Sequence, residues 1–176
     1  MKALVIGAGG VGSAIANIAS RRSFIQSMVV ADRDKARAEA AVARLNDSRF
    51  SAAEVNASSV EDISALIVRV QPDVVINAVD PRFVMPIFNA CEAQGVNYVD
   101  MAMSLSKAHP TDPHNQTGVM LGDEQFARDK AFNDKGIYAL VGVGVEPGLS
   151  DIFARYAQDN LFSRIDSAIV YDGSNL

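Results

Sequence analysis

An α/β fold built on a doubly wound parallel sheet is predicted by two features of the sequence. Apolar segments of strand length alternate with stretches of helical period along the chain. A glycine turn, Gly7-Ala-Gly9-Gly10-Val-Gly12, directly follows the first such strand and opens a helix. At 176 residues, 49% apolar and 21% charged, the chain can bury one sizeable core and is too short for two ordinary domains.

The first strand spans residues 3–6, and Val11, Ile15 and Ile18 then recur at helical spacing through Ser20. Residues 28–31 are apolar without alternation, as in a strand buried on both faces. Asp34 is placed to cap a helix whose apolar stripe is Ala38, Ala41, Val42 and Leu45. A third strand at residues 50–55 precedes Ser58-Ser-Val-Glu61, which has capping-box spacing ahead of Ile63, Leu66, Ile67 and Val70. Pro72 ends that helix, and residues 73–79 form the clearest strand, running into Asp80-Pro81.

The next helix carries Ile87, Ala90, Cys91 and Gln94, with Cys91 on its inward stripe, Gly95 closes it, and a fifth strand follows at residues 97–102. Residues 103–121 have no period but hold two prolines and both histidines, and a loop of this length in a compact domain is usually functional or mobile. A helix over residues 123–133 with Phe126 and Ala127 inward leads to a sixth strand at residues 137–143. A helix over residues 150–160, with Ile152, Phe153 and Tyr156 on one side, and a seventh strand at residues 165–171 complete the pattern.

The glycine turn carries the chemistry. Gly7 permits a tight turn, Gly9 lets backbone approach a pyrophosphate, and Gly12 allows close packing of helix and strand. With Gly10 and Val11 they form a helix N-terminus whose free N–H groups and partial positive charge suit phosphates. Asp32 lies twenty residues beyond Gly12 at a strand end, where its carboxylate would accept from ribose hydroxyls. This is the fingerprint of a Rossmann nucleotide domain, and the expected cofactor is NAD or NADP. Asp32 favours NAD, because a 2′-phosphate there meets a like charge, whereas Arg33 can stack on adenine or pair with a 2′-phosphate.

Ligands of open parallel sheets bind beyond the C-terminal strand edges. That rule selects Asn56 and Ala57 beside the adenine, Asn77, Ala78 and Val79 near the nicotinamide half, and Asp80, Asp100, Met101 and Glu146-Pro147-Gly148. Asp80 has a simpler reading as the cap of the helix that starts at Pro81. Asp100, Glu146 and His109 are the catalytic candidates, His109 because imidazole titrates where acid–base work is useful. The spacing of His109 and His114 fits no metal site, so none is expected, and Cys91 reads as a core residue.

The net charge of −5 and the lack of a basic stripe argue against nucleic acid as a partner. Lys2, the apolar stretch after it and Ala14-Ile-Ala16 imitate a secretory signal, but glycines at 7, 9, 10 and 12 would weaken a signal helix. No other apolar run approaches the ~20 residues of a membrane span. A single cysteine fits a reducing compartment, and a cytoplasmic location is expected.

Together these motifs place the chain beside a known family. Gly7–Gly12, Ala31-Asp32-Arg33, Val75-Ile76-Asn77-Ala78, Asn89-Ala-Cys91-Glu-Ala-Gln-Gly95, Tyr98-Val-Asp100 and Gly144-Val-Glu146-Pro147-Gly148 resemble the saccharopine dehydrogenase family over nearly the whole sequence. The resemblance implies hydride transfer between NAD(P) and the C–N bond of an amino-acid-derived imine or secondary amine, in a protein that forms homodimers at full length. It also implies a second α/β domain. The nucleotide domain is thus expected at residues 1–148, and residues 149–176 as a connecting helix and the first strand of that second domain, cut short at residues 172–176. Arg82 is a weak candidate for holding a substrate carboxylate. A non-catalytic NAD(P)-sensing module is the alternative reading.

Overall fold

The computed structural model describes residues 1–171 and Gly173. Six parallel strands, β1 (Lys2–Ile6), β2 (Ser27–Asp32), β3 (Phe50–Glu54), β4 (Val74–Asn77), β5 (Asn97–Asp100) and β6 (Ala139–Leu140), stand in the order β3-β2-β1-β4-β5-β6. The central β1 pairs on both sides, Leu4 opposite Val29 of β2 and Val75 of β4. The chain order reverses beside β1, between β2 and β4, so the crevice for a ligand opens at the C-terminal ends of these strands.

Alternation along β1 divides the core in two. Ala3 and Val5 face a cluster with Ala16, Ala19, Met28, Val30, Ala38 and Ala41, and so pack under helices α1 (Gly10–Ser20) and α2 (Lys35–Ala43). Leu4 and Ile6 face Ile63, Leu66, Ile67, Ile87, Phe88 and Cys91, and so pack under α3 (Val60–Val70) and α4 (Val84–Gln94). Both faces of the sheet are thereby covered, which accounts for the unbroken apolar runs of the central strands. Phe88 stacks on Phe132 at 4.7 Å between ring centroids and meets Tyr98 edge-on at 5.1 Å.

Several details differ from the sequence expectation. In α1 the inward residues are Gly12, Ala16 and Ala19, while Val11 and Ile18 are exposed, because a helix drawn close to the glycine turn has room only for small side chains. The cap of α3 is Ser59, whose Oγ accepts from the Asp62 N–H at 3.1 Å; the capping register is one residue later than Ser58-x-x-Glu61 suggests. Gln94 faces out and Glu92 is buried, held by the Arg128 guanidinium at 2.7 and 2.8 Å.

The expected helix over residues 123–133 is two pieces, α5 (Asp123–Phe126) and α6 (Asp129–Asp134). The break swings Phe126 outward to 56% exposure and leaves Ala127 exposed, while Gln125 and Phe132 point in. β6 has two residues rather than seven, because beyond it the Gly142 and Val143 N–H groups turn to donate to Asp100. Helix α7 (Leu149–Asn160) forms as expected, with Ile152, Phe153 and Tyr156 exposed. Residues 165–171 form no strand, and among the described residues no strand lies alongside to pair with them. Of the expected strand end at residues 172–176, all but Gly173 lies outside the described residues.

Candidate cofactor and active site

The glycine turn is shaped by close approaches that only glycine permits. Gly7 has φ +110°, its N–H donates to the Ala31 carbonyl at 2.7 Å, and a Cβ on it would lie 2.5 Å from the Ala78 carbonyl oxygen. A Cβ on Gly12 would lie 1.8 Å from the Gly7 carbonyl oxygen, so this glycine lets α1 rest on the turn itself as well as on the sheet. Around Gly9 and Gly10 a Cβ would meet nothing within 4 Å. Gly9 is the N-cap of α1 and offers no side-chain oxygen to the first N–H groups of the helix, Gly10 and Val11 included. Unclaimed donors facing open space at a helix N-terminus are an anion seat, and they fit a dinucleotide diphosphate.

Beside this seat lies a cleft of about 240 Å³ lined by Gly7, Asp32, Arg33, Asn56, Ala57 and Val79, with Ile6, Val55, Ser58, Arg82 and Phe83. Asp32 Oδ2 accepts from the Ala8 N–H at 2.9 Å and Oδ1 from the Asp34 N–H at 3.0 Å. Each oxygen keeps a second lone pair, so the carboxylate can fasten the glycine turn and still accept from a ribose hydroxyl. Arg33 is exposed at the rim of the cleft. Asn56 Oδ1 accepts from the Ser58 N–H at 3.0 Å, which closes a local turn and makes Asn56 a shaper of the wall.

Asn77 and Ala78 stand behind this wall. Asn77 is buried; its Oδ1 accepts from the Val79 N–H at 3.1 Å, and its Nδ2 donates to the Tyr98 hydroxyl at 3.0 Å. The Asn77 side chain therefore positions Val79, which does line the cleft. Asp80 is a cap, as the simpler reading had it: Oδ1 accepts from the Arg82 N–H at 2.9 Å, and the guanidinium beside it holds the Asp80 carboxyl below the usual carboxylate range.

Asp100, expected as a catalytic group, is buried and gathers hydrogen bonds from several elements. It is 1% exposed. Its Oδ2 accepts from the Tyr98 hydroxyl at 2.8 Å and Gln125 Nε2 at 2.7 Å, and its Oδ1 accepts from the N–H groups of Gly142 at 2.8 Å and Met103 at 3.3 Å. Four donors fill the four lone-pair sites of one carboxylate, so none remains for a reacting atom. Burial, followed by the Asp100 charge, pushes the Tyr98 phenol far above its ordinary range, which keeps it protonated as a donor. Tyr98 and Gln125 are the residues that sequence reasoning missed here. Tyr98 was detectable, since it shares a strand face with Asp100 two residues away, whereas Gln125 comes from a distant helix with no signal of its own.

The loop at residues 103–121 is folded back on itself. Lys107 and Val119 exchange both backbone hydrogen bonds at 2.9 Å, and the Ser104 N–H donates to Gln125 Oε1 at 2.7 Å. His109, the second catalytic candidate, accepts at Nδ1 from the Asp112 N–H at 3.1 Å and is thereby engaged in building that loop. Glu146 is exposed on the segment leaving β6, with no hydrogen-bond or ion-pair partner among the described residues. Cys91 is buried in the core, and burial pushes its thiol well above the ordinary value, consistent with a packing role. Among the described residues no cluster of His, Cys, Asp and Glu could hold a metal ion, and no helix is long and apolar enough to cross a membrane.

Comparison with known proteins agrees with this geometry. The chain is 34% identical over 181 residues to carboxynorspermidine synthase of Vibrio alginolyticus, which covers 98% of this chain and 43% of that protein. It is 28% identical over 171 residues to carboxyaminopropylagmatine dehydrogenase of Synechocystis sp., covering 97% of this chain and 41% of that protein. The chain thus spans less than half the length of these relatives. Among solved structures, saccharopine dehydrogenase (L-Glu forming) of Saccharomyces cerevisiae superposes with a TM-score of 0.68 at 17% identity, over 91% of this chain and 31% of the yeast one. A metagenomic short-chain oxidoreductase in complex with NADP matches at a TM-score of 0.53 and 16% identity, over 80% of each chain. These likenesses show the fold, and the cofactor class is NAD or NADP. With residues 3–140 matching the family model for the saccharopine dehydrogenase NADP-binding domain, the chain belongs to that family.

Proposed function

We propose that this chain is the cofactor-binding part of an oxidoreductase that works on the C–N bond, imine or secondary amine, of an amino-acid-derived substrate. The observation that carries the reading is the uncapped α1 N-terminus, open at Gly9 and Gly10, beside the Asp32 carboxylate at the strand edge. The relatives' names support the substrate class, since carboxynorspermidine and carboxyaminopropylagmatine are both amines bearing a carboxylated substituent. A bound nicotinamide supplies hydride exchange with the substrate carbon. The α1 N-terminus holds the diphosphate, Asp32 accepts from the ribose, and the cleft walls at Val55, Ala57 and Val79 shelter the adenosine from water.

Proton management at the nitrogen falls to Glu146 among the three original candidates. Asp100 has no free lone pair, and His109 gives its Nδ1 to its own loop. Of the three, Glu146 alone is exposed with no partner among the described residues.

Titration of the chain with NADH and NADPH separately, followed by thermal shift, is expected to give saturable stabilisation by at least one. At a hundred times the dissociation constant the gain is about 2.7 kcal/mol. Absence of any shift with either nucleotide, together with stabilisation by S-adenosylmethionine, would refute the proposal.

A further inference from the structure

We propose that Arg82 is a purine-stacking wall of the cofactor cleft, rather than a residue that holds a substrate carboxylate; the inference rests on the cofactor reading above. Arg82 follows β4 in a short 3-10 turn, Pro81–Phe83, and lines the same cleft as Gly7, Asp32 and Asn56. Its guanidinium is held in place. Nε donates to Asp80 Oδ1 at 2.9 Å and one terminal nitrogen donates to Asp80 Oδ2 at 3.2 Å, a fork-on-fork pair that fixes the plane of the group. The Phe83 ring lies 5.9 Å from the guanidinium carbon.

The pairing with Asp80 decides what this group can do. A guanidinium already bonded at two points to a carboxylate is locally close to neutral, and the adjacent Asp80 charge would repel a phosphate or a substrate carboxylate. Its flat face is still available, and guanidinium planes stack well on aromatic rings. The same cleft is lined by apolar side chains in Val55, Ala57 and Val79, which suit the faces of a purine and offer nothing to an anion. Arg33, which also lines the cleft, has no such tether among the described residues and remains the cation for phosphates.

The test measures binding of NADH and NADPH by calorimetry to the unaltered chain, Arg82→Ala and Arg82→Lys. The Arg82 side chain is 73% exposed, so both variants should keep the thermal midpoint of the ligand-free protein. For the nucleotide that binds more tightly, both substitutions are expected to weaken affinity about tenfold, because lysine retains the charge and loses the plane. Full affinity in Arg82→Ala would overturn the proposal, as would full affinity in Arg82→Lys, which would make the contact one of charge. If the unaltered chain binds neither nucleotide, the cofactor reading itself falls and this inference falls with it.

Discussion

Gly9→Ala is expected to leave the fold intact and weaken NAD(P) binding, while Gly12→Ala is expected to damage the fold first. At Gly9 the backbone has φ −73°, which alanine adopts freely, and no protein atom lies within 4 Å of the added methyl. Folding stability should change by no more than about 1 kcal/mol. The methyl occupies the open side of the α1 N-terminus, and the loss of one or two charge-assisted hydrogen bonds there lowers affinity roughly ten- to hundredfold. At Gly12 the methyl would collide with the Gly7 carbonyl oxygen at 1.8 Å, so the turn or the helix must shift, at about 3 kcal/mol or more. Denaturation midpoints and calorimetric titration of the two variants separate the outcomes. Equal stability loss in both would mean that the open space at Gly9 is not a ligand seat.

Asp100→Ala is expected to be the most damaging single substitution at the sheet edge. It strands the Tyr98 hydroxyl, the Gln125 amide and the N–H groups of Gly142 and Met103, all drawn to one buried carboxylate. Deleting one partner of such a buried charged network costs roughly 3–5 kcal/mol. Against a total stability of about 5–15 kcal/mol, that is a large fraction, and the thermal midpoint should fall by roughly 10 °C. Tyr98→Phe should cost less, about 1–3 kcal/mol, since Asp100 keeps three donors while the Asn77 amide loses its acceptor. An Asp100→Ala chain with an unchanged midpoint would show that the carboxylate is not a structural centre, and would reopen the catalytic role.

The sheet and its crossover helices were legible because parallel strands covered on both faces must be apolar, and residues 3–6, 28–31 and 74–76 are. The phosphate seat was legible because Gly7, Gly9 and Gly12 meet backbone constraints at fixed spacing. Asp100 was placed at the correct edge, but the partners that surround it were not foreseen. Its position follows from strand periodicity, whereas its role depends on Gln125 and Gly142, which approach it from 25 and 42 residues away. Burial of Glu92 depended likewise on Arg128, a partner 36 residues off. Phe126 was misplaced because an unbroken helical period was assumed across a segment that splits, so that the inward position fell to a glutamine.

One consequence of the Asp100 cluster concerns the rate at which the protein exchanges hydrogen with solvent. Loop amides ordinarily exchange fast, because they open without disturbing the core. The N–H groups of Met103, Ser104 and Gly142 belong to loops, yet their acceptors are the side chains of Asp100 and Gln125, both buried. They can open only when β5, α5 and the exit of β6 separate together. In deuterium exchange these three amides should therefore retain their protons as long as the central strands do, while neighbours such as Leu105 and Ser106 lose theirs early, so that the last protons to leave this edge mark a joint between loops rather than a strand.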